Sequence, residues 1–530
     1  MIPPRSVLLS FIALAVLASV MFFWSLGTNP LEKWDEAIHA QVTHEMVESG
    51  NWLELTWNHE PYYWKPPLRF WLGGVATAVL GENEFSIRFW SALAGTLTTL
   101  LIGLWAWQMS KKHSTIWLTV MVFLSGKYLF GHAFRTGETD GLLTFFTVLS
   151  LWAYWKSWSK PRWLLLVAAA LGLGFITKFT AIAFAGIPIL LHLIFTRGFN
   201  TYSKKIWLQS ISVGLIIIAP WIVSQLLLRG FTFIQTTISN DVVERSSTNL
   251  YGFSAGPGWY WKVFIQRFFP FAAFALPASV WAIGRALKKR DQLLTFFLIY
   301  LASGIILLSV NATKSSWYLL PLYPILALVM GMWLTRWFAW PLRWTTVALI
   351  GWGVVAFVRR LPSMVPDDGL THWLVPQAYV AGLDGQSGRW LTALGIGLLT
   401  VALTIVAHYR KSRLLWRVIP MAVLLWVGTL ALAGQRAELM LQRGEPLLPA
   451  TRKILQAEQP ETLYIQNIYV HHEPTIRYYL GNEPGTTLVH IEGLQPTSGL
   501  VLEKIQNGIV PFPGTLLLSS PDFQLVRIAP

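Results

Sequence analysis

Two neighbouring carboxylates, Asp35 and Glu36, follow the first long apolar stretch of the chain. The run from Phe11 to Leu26 is close to the ~20 apolar residues that cross a bilayer, so the pair lies where the first membrane helix ends. Asp140 repeats this placement at the start of a later apolar stretch. A carboxylate at the membrane rim can accept a proton as a general base. Asp35 and Asp140 are therefore the predicted catalytic residues, and Glu36 is expected to contact substrate.

Asp35 and His39 are one helical turn apart in a stretch with the periodicity of an amphipathic surface helix. At this spacing they could share a proton or a metal ion. The alternative is that Asp35 caps the helix and His39 is solvated. A divalent metal therefore stays open as a cofactor, with His39 as a candidate ligand.

Several cations are expected on the same side. Lys65 follows Tyr62-Tyr63-Trp64 and precedes two prolines, which stop any preceding helix and stiffen the backbone. A lysine presented in this way suits a phosphate, although a lysine that snorkels to lipid head groups is the alternative. Basic residues are disfavoured in outer loops, so further cations at this boundary need an anionic partner. They are Lys178, Arg245 and Lys314.

The composition is that of an integral membrane protein. Of 530 residues, 54% are hydrophobic and 13% are charged, whereas soluble domains carry about 25% charged residues. There is no cysteine, which excludes disulfides and thiol chemistry. Apolar runs predict thirteen spans, at roughly 7–26, 86–109, 115–132, 141–155, 163–177, 179–196, 206–228, 263–284, 292–310, 317–335, 344–358, 391–408 and 415–434.

The charge pattern orients these spans. Alternate loops collect lysine and arginine, as in Lys111-Lys112 and Lys288-Lys289-Arg290, and this predicts a cytoplasmic N-terminus. The acidic residues, including those of the first loop at 27–85, then face the other side. The net charge of +15 thus reflects membrane topology and predicts no nucleic-acid partner.

The composition changes after about residue 435. Strand-like runs at 462–466, 486–491, 515–519 and 524–528 alternate with helix-like runs at 449–457, 475–480 and 500–506. The predicted fold is an all-α polytopic membrane domain over 1–434, with a first outer loop at 27–85 that contains amphipathic helices. A small extracytoplasmic α/β domain over 435–530 follows, because the number of spans is odd.

An ordered set of motifs resembles the polyprenyl-phosphate-dependent glycosyltransferases of the GT-C fold, specifically the ArnT-like family of aminoarabinose transferases and protein O-mannosyltransferases. The resemblance covers about residues 1–345. The matching stretches are Trp34–Ala37, Asn58–Leu68, Glu84–Leu93, Thr139–Asp140, Leu171–Lys178 and Thr313–Pro324.

This resemblance implies a multi-pass protein of the bacterial inner membrane. It would transfer a sugar with inversion from undecaprenyl phosphate to an envelope acceptor, on the periplasmic face. The sugar is 4-amino-4-deoxy-L-arabinose or a related one, and the acceptor is lipid A, another glycan, a lipid or a protein.

The same resemblance assigns roles to residues. Asp35 matches the family's general base, and Asp140 matches a second essential carboxylate. Lys65 and Arg245 fall where the family binds the lipid phosphate, with Tyr318 beside them. Trp64 stands where aminoarabinose transferases usually have Glu, and Asp241 is the nearest counterpart of a family histidine. The metal and the sugar therefore stay open.

Two other classes of protein are weighed against the enzyme. A transporter or flippase of polyprenyl-linked sugars would place ionisable groups at mid-membrane and repeat its halves. Here the spans are nearly free of charge and no halves repeat. A non-catalytic subunit that binds polyprenyl phosphate would need the cations but not Asp35 and Asp140. The carboxylates therefore favour the enzyme.

Overall fold

The structure is a computed structural model of the 530-residue chain. It describes residues 5–126, 128–239, 256, 258–268, 271–337, 447–466, 474–490, 496, 498–504, 514–520 and 523–528. Four expectations lie outside these residues. They are the last three predicted spans, the domain boundary at 434–435, and the placements of Arg245 and Asp241.

The membrane region is a bundle of apolar helices. Its helices, with those of the first loop, are α1 Arg5–Phe23, α2 Asp35–Ser49, α3 Leu68–Leu80, α4 Glu84–Ser110, α5 His113–Leu124, α6 Asp140–Ser157, α7 Trp163–Lys178, α8 Ala183–Phe195, α9 Lys204–Arg229, α10 Phe231–Ile238, α11 Trp259–Arg267, α12 Ala272–Lys289, α13 Gln292–Val310 and α14 Tyr323–Trp337. A π-helical turn at Leu129–Ala133 follows α5, and 3₁₀ segments at Phe179–Ile182 and Ser316–Leu322 precede α8 and α14. Each of the first ten predicted spans coincides with a helix or helix pair, and six described helical segments are long and apolar enough to cross a membrane.

The chain reverses direction between α7 and α8. Phe179 has φ +32°, a conformation that is unfavourable for a bulky residue, and it ends α7 sharply. Helix α8 then runs beside α6, as shown by the Tyr154 hydroxyl near the end of α6, which lies 2.8 Å from Nδ1 of His192 near the end of α8. The start of α6 and the end of α7 meet at the opposite end of the bundle, where Lys178 contacts Asp140. We call this end of the bundle the site end.

The first loop folds over the site end. Helix α2 ends at Gly50, whose φ of +69° is a left-handed conformation that glycine adopts with little strain. A short hairpin of β1 Thr56–Trp57 and β2 Glu60–Pro61 follows, and α3 begins directly after Pro67. Helix α2 is buried on nearly all sides, in contrast to the one-sided burial expected of an amphipathic surface helix.

The C-terminal part is a small mixed sheet with two helices. The elements are α15 Leu447–Glu458, β3 Thr462–Gln466, α16 Pro474–Leu480, β4 Thr487–His490, β5 Gly499–Lys504, β6 Thr515–Ser519 and β7 Phe523–Ile528. The strand order is β4-β3-β5-β7-β6, with β3 parallel to β4 and β5, and β7 antiparallel to β5 and β6.

The helix predicted at 500–506 is wrong, since residues 499–504 form the central strand β5. Leu500, Val501 and Leu502 are all buried. A strand covered on both faces is a continuous apolar run, and so short a run has no periodicity that separates a strand from a helix.

The C-terminal part packs on the first loop. The Tyr479 hydroxyl accepts from the backbone N–H of Leu31 at 2.9 Å and donates to Glu84 at 2.7 Å. Asn482 and Gln41 exchange side-chain hydrogen bonds of 2.8 and 3.2 Å. Helix α2 is consequently clamped between the bundle and the small sheet domain, so the residues at its N-terminus are held rigidly.

Candidate functional site

Asp35 is the first residue of α2 and is exposed to solvent. The preceding Trp34 is also exposed and has φ +69°, a strained conformation for a residue with a large side chain. Strain of this kind persists where the surrounding structure over-determines the backbone, and it is concentrated at functional sites. The clamped helix and the strained tryptophan together fix the backbone position from which the Asp35 side chain extends.

Glu36 points the other way, into protein. Its two carboxylate oxygens accept from Nε and an Nη of Arg88 at 2.7 and 2.8 Å, and the backbone N–H groups of Glu32 and Gly137 each donate at 2.6 Å. Arg88 also donates to the carbonyls of Leu26, Asn29 and Pro30. This geometry favours a positioning role for Glu36 over the substrate contact expected from the sequence.

His39 lies one turn after Asp35 and is fully buried. Its Nδ1 is 2.9 Å from the carbonyl oxygen of Gly137, and Arg69 donates to the same oxygen at 2.9 Å. A Cβ at Gly137 would come within 2.9 Å of the Arg69 and Ile87 side chains, so any larger residue would force these buried side chains to shift. The alternative of a solvated His39 is therefore wrong. The hydrogen bond from His39 also holds the loop before α6 against α2.

Asp140 is the first residue of α6 and is buried. Both of its oxygens accept from the Lys178 ammonium, at 3.0 and 2.8 Å, and its Oδ2 lies 3.4 Å from Nε2 of His132. The Lys178 nitrogen is 5.8 Å from the centre of the Tyr318 ring. The structure thus brings together three residues predicted at distant points of the sequence, namely Asp140, Lys178 and Tyr318.

Glu138 connects the two carboxylates. One of its oxygens lies within 4.8 Å of ligand atoms of both Asp35 and His39, and likewise of His132 and Asp140. Burial raises the pKa of Glu138 well above its usual range, and the nearby charges of Asp35 and Asp140 raise it further. Asp35, Glu138 and Asp140 therefore form one electrostatically coupled group.

Lys65 is buried, as expected for a lysine held in a stiff turn. The crowding of protein around Asp35 raises the pKa of this carboxyl, but the charges of Lys65, His39, Lys178 and His132 outweigh that effect and hold the pKa below its usual value. Lys65 is the largest of these attractive charges. Asp35 is consequently an ionised, solvent-accessible carboxylate at neutral pH, as a general base must be.

Lys314 is placed differently from the prediction of phosphate binding. Its ammonium donates to the carbonyls of Leu308, Ser309 and Asn311, at 3.3, 3.1 and 2.8 Å. These are terminal carbonyls of α13, which have no partner within the helix, so the lysine acts as a cap. The geometry favours a structural role for Lys314.

Glu138, Arg88, Arg69 and His132 were not selected from the sequence. The two arginines lie near the start of apolar helices at the site end, the same boundary as Lys178, so the reasoning applied to Lys178 could have found them. The spacing Glu138-Thr139-Asp140 was a signal for a second acidic motif. His132 had no signal, because the π-helical turn that aims it at Asp140 is a tertiary feature.

Comparison with known proteins identifies relatives of the chain. Residues 64–223 match the family described as dolichyl-phosphate-mannose-protein mannosyltransferase. The chain is 27% identical over 313 residues to an undecaprenyl phosphate-α-4-amino-4-deoxy-L-arabinose arabinosyl transferase of Pseudomonas savastanoi, an alignment that covers 58% of this chain and 57% of that protein. A transferase of the same name from Erwinia tasmaniensis is 24% identical over 467 residues, covering 85% of this chain and 78% of that one. The chain spans between 57% and 62% of the length of the first three curated relatives that it matches.

Solved structures show the same fold. The crystal structure of ArnT from Cupriavidus metallidurans bound to undecaprenyl phosphate matches with a TM-score of 0.71 and 18% identity, over 100% of both chains. The oligosaccharyltransferase of Archaeoglobus fulgidus matches with a TM-score of 0.52 and 12% identity, over 89% of this chain and 63% of that one. Fold and sequence relatives agree with the resemblance found in the sequence. The chain is thus similar in sequence and in fold to the ArnT-like glycosyltransferases of the GT-C type.

Proposed function

We propose that the protein transfers a sugar from undecaprenyl phosphate to an acceptor of the cell envelope, with inversion at the anomeric carbon. The observation that carries this proposal is the exposed Asp35 carboxylate, held ionised beside the buried Lys65. A base next to a cation is the pair that such a transfer requires. The relatives supply the donor class, since one is named for undecaprenyl phosphate and another was solved with it bound.

The reaction follows from the positions of these groups. An acceptor hydroxyl attacks the anomeric carbon from the face opposite the phosphate, and the bond from that carbon to the phosphate oxygen breaks. Asp35 takes the proton of the hydroxyl. The leaving group, undecaprenyl phosphate, gains negative charge, which Lys65 stabilises and for which Arg245 is proposed as a second cation.

Asp140 is proposed to orient the sugar or acceptor. The Lys178 ammonium and His132 hold its carboxylate in place, and Tyr318 lies on the other side of that ammonium. In this arrangement the Lys178 ammonium forms an ion pair with Asp140, and it would contact a bound phosphate only after that ion pair breaks. Asp35 is left as the accessible carboxylate of the pair.

The location proposed for the reaction is the periplasmic face of the bacterial inner membrane. Basic residues gather at the opposite end of the bundle, as at Lys111, Lys112 and Lys156, and such loops remain in the cytoplasm. The relatives' names favour 4-amino-4-deoxy-L-arabinose as the sugar. Lipid A is proposed as the acceptor on the family resemblance found in the sequence. A glycan or protein acceptor is the second candidate, favoured by the match to a family of protein mannosyltransferases.

A comparison of envelope glycolipids from cells with and without the protein tests the proposal. We expect one acceptor to lose a sugar and the matching undecaprenyl-phosphate sugar to accumulate, both read by mass spectrometry. This result would also name the sugar and the acceptor. Unchanged acceptors with an altered distribution of the donor across the membrane would instead show a transporter.

Replacing Lys65 with Met is expected to weaken donor binding and slow transfer. A charge-assisted contact to phosphate contributes about 1.5–3 kcal/mol, which corresponds to a loss of roughly 10- to 100-fold in kcat/KM. Loss of the ammonium also removes the largest charge that lowers the pKa of Asp35, so the acidic limb of the rate profile should move to higher pH. Lys453, exposed on α15, provides the matched control as Lys453→Met. An unchanged pH profile in Lys65→Met would contradict the placement of Lys65.

A further inference from the structure

We propose that the end of the bundle opposite the site end binds an anionic glycerophospholipid, in a cavity between the α6–α7 turn and α9. The cavity is open at the protein surface and has a volume of about 800 Å³. The turn contributes two cations to its lining, and the two helices contribute an apolar wall. The cations are Lys160 and Arg162, and the wall consists of Leu165, Leu166 and Ala169 of α7 with Val213 of α9.

The two cations of the cavity have no counter-charge. Both side chains are exposed, and neither forms an ion pair or a side-chain hydrogen bond with any residue that the structure describes. The sequence contains no Asp or Glu between Asp140 and Asp241. Helices α7 and α9 both begin at this end of the bundle, so their dipoles add partial positive charge. The mouth of the cavity therefore attracts an anion.

The apolar wall extends along α7 away from the cations. Its residues are half-buried, and Ala169 is seven residues beyond Arg162, so it lies about 10 Å further along the helix axis. Helix α9 packs closely against α7 behind the wall, since a Cβ at Gly172 would lie 3.2 Å from the Ile217 side chain. The cavity thus has a charged mouth and an apolar floor.

Trp163 indicates the depth of the cavity in the membrane. Its ring is half-buried and packs edge-on against Trp152, with 5.0 Å between the ring centres. Tryptophan is enriched where a helix enters the membrane, at the level of the lipid head groups. The cations in the turn just before Trp163 therefore lie at the level of the lipid phosphates, and the apolar wall faces the acyl chains.

A ligand that fits both parts of the cavity has a phosphate head and an acyl chain. Basic pockets between membrane helices bind anionic lipids in this way. A soluble anion would contact Lys160 and Arg162 but leave the apolar wall empty. Neither cation belongs to the site around Asp35, and lipid binding here requires no sugar transfer, so the inference goes beyond the proposed function.

The test titrates the purified, delipidated full chain in detergent with phosphatidylglycerol or phosphatidylcholine of identical acyl chains, and native mass spectrometry counts the bound lipids. We expect tighter binding of phosphatidylglycerol, with a preference that falls as salt rises. Lys160→Gln and Arg162→Gln should each weaken its binding about fivefold, and together roughly 25-fold, with little effect on phosphatidylcholine. Ala169→Phe, which places a ring in the cavity, should weaken the binding of both lipids.

The matched control is the double variant of Lys288→Gln with Lys289→Gln. It removes the same charge from exposed positions at the end of α12, at the same end of the bundle but outside the cavity. The control should keep the preference for phosphatidylglycerol. All charge variants should unfold at the midpoint of the unaltered chain, because the substituted side chains are exposed.

Three outcomes would overturn the inference. The first is equal affinity of the unaltered chain for the two lipids. The second is an equal loss of preference in the control and in the Lys160 and Arg162 double variant, which would show attraction by net charge alone. The third is displacement of the lipid by millimolar inorganic phosphate, which would assign the cavity to soluble anions. A chain that binds phosphatidylglycerol as expected but transfers no sugar would refute only the proposed function.

Discussion

The Asp35→Asn variant is expected to lose sugar transfer while it keeps its fold. The amide has nearly the shape of the carboxylate but cannot take a proton from the acceptor. General-base catalysis contributes about 10²–10⁴-fold in rate, so kcat should fall by at least the lower end of that range. Because Asp35 is exposed and begins its helix, an amide of nearly the same shape fits there without repacking of the interior.

The measurement is single-turnover transfer by purified protein from an undecaprenyl-phosphate sugar. Asp291→Asn provides the control, because that carboxylate pairs with Arg285 at the far end of the bundle. Turnover of Asp35→Asn equal to that of the unaltered chain would remove Asp35 from the role of base. Asp35→Glu, which keeps the carboxylate but moves it, should recover only part of the rate.

The pH dependence has a definite sign. The folded-state pKa of Asp35 lies below its ordinary value of about 3.9, so the base is ionised throughout the range from about pH 5 to 8. Protonation of Asp35 should slow transfer only as the pH falls below that ordinary value. An acidic limb near neutral pH in the unaltered enzyme would therefore belong to another group. If Lys65→Met moved that limb to higher pH, the limb would belong to Asp35 and this account would be contradicted.

Removal of the Arg88 guanidinium is expected to be the most destabilising single change at the site end. Arg88→Met leaves the Glu36 carboxylate fully buried without its cation. Breaking a buried ion pair by removing one partner costs about 3–5 kcal/mol, because the remaining charge is unpaired and out of water. Arg88→Lys should recover little of the lost stability, since an ammonium cannot replace the forked contacts of the guanidinium to Glu36 and to three carbonyls.

Thermal unfolding of the purified variants checks this expectation. Arg527→Met is the control, because Arg527 pairs with Glu458 where both side chains are exposed, and exposed pairs contribute about 0–1 kcal/mol. The double variant Glu36→Gln with Arg88→Met should be more stable than Arg88→Met alone, since the buried carboxylate left unpaired by the single substitution is then gone. A midpoint for Arg88→Met as high as that of Arg527→Met would show that the pair does not support the fold.

Membrane architecture and motif order were determined by the sequence alone. The lipid environment requires long apolar helices whose backbone groups are satisfied within each segment, and this makes spans visible in composition. The first ten predicted spans coincide with helices for that reason. The class of chemistry followed from carboxylates and lysines at span ends, which a bilayer disfavours unless they serve a function or have a partner.

The roles within the acidic pair were decided only by tertiary structure. Asp35 and Glu36 are adjacent in the chain, yet one is open to solvent and the other is enclosed by Arg88 and Gly137. The direction of each side chain depends on the strained Trp34 and on contacts from residues more than fifty positions away. Long-range packing of this kind has no signature in local sequence.

The cations show the same division. The sequence predicts Lys65, Lys178 and Lys314 at one membrane boundary. In the structure each has a different partner: Lys65 interacts with Asp35, Lys178 with Asp140, and Lys314 with the carbonyls that end α13. Charge type and boundary position are properties of the sequence. The partner that each charge meets depends on how the loops fold over the bundle, because Coulomb attraction in a low-dielectric site changes steeply with distances of a few ångströms.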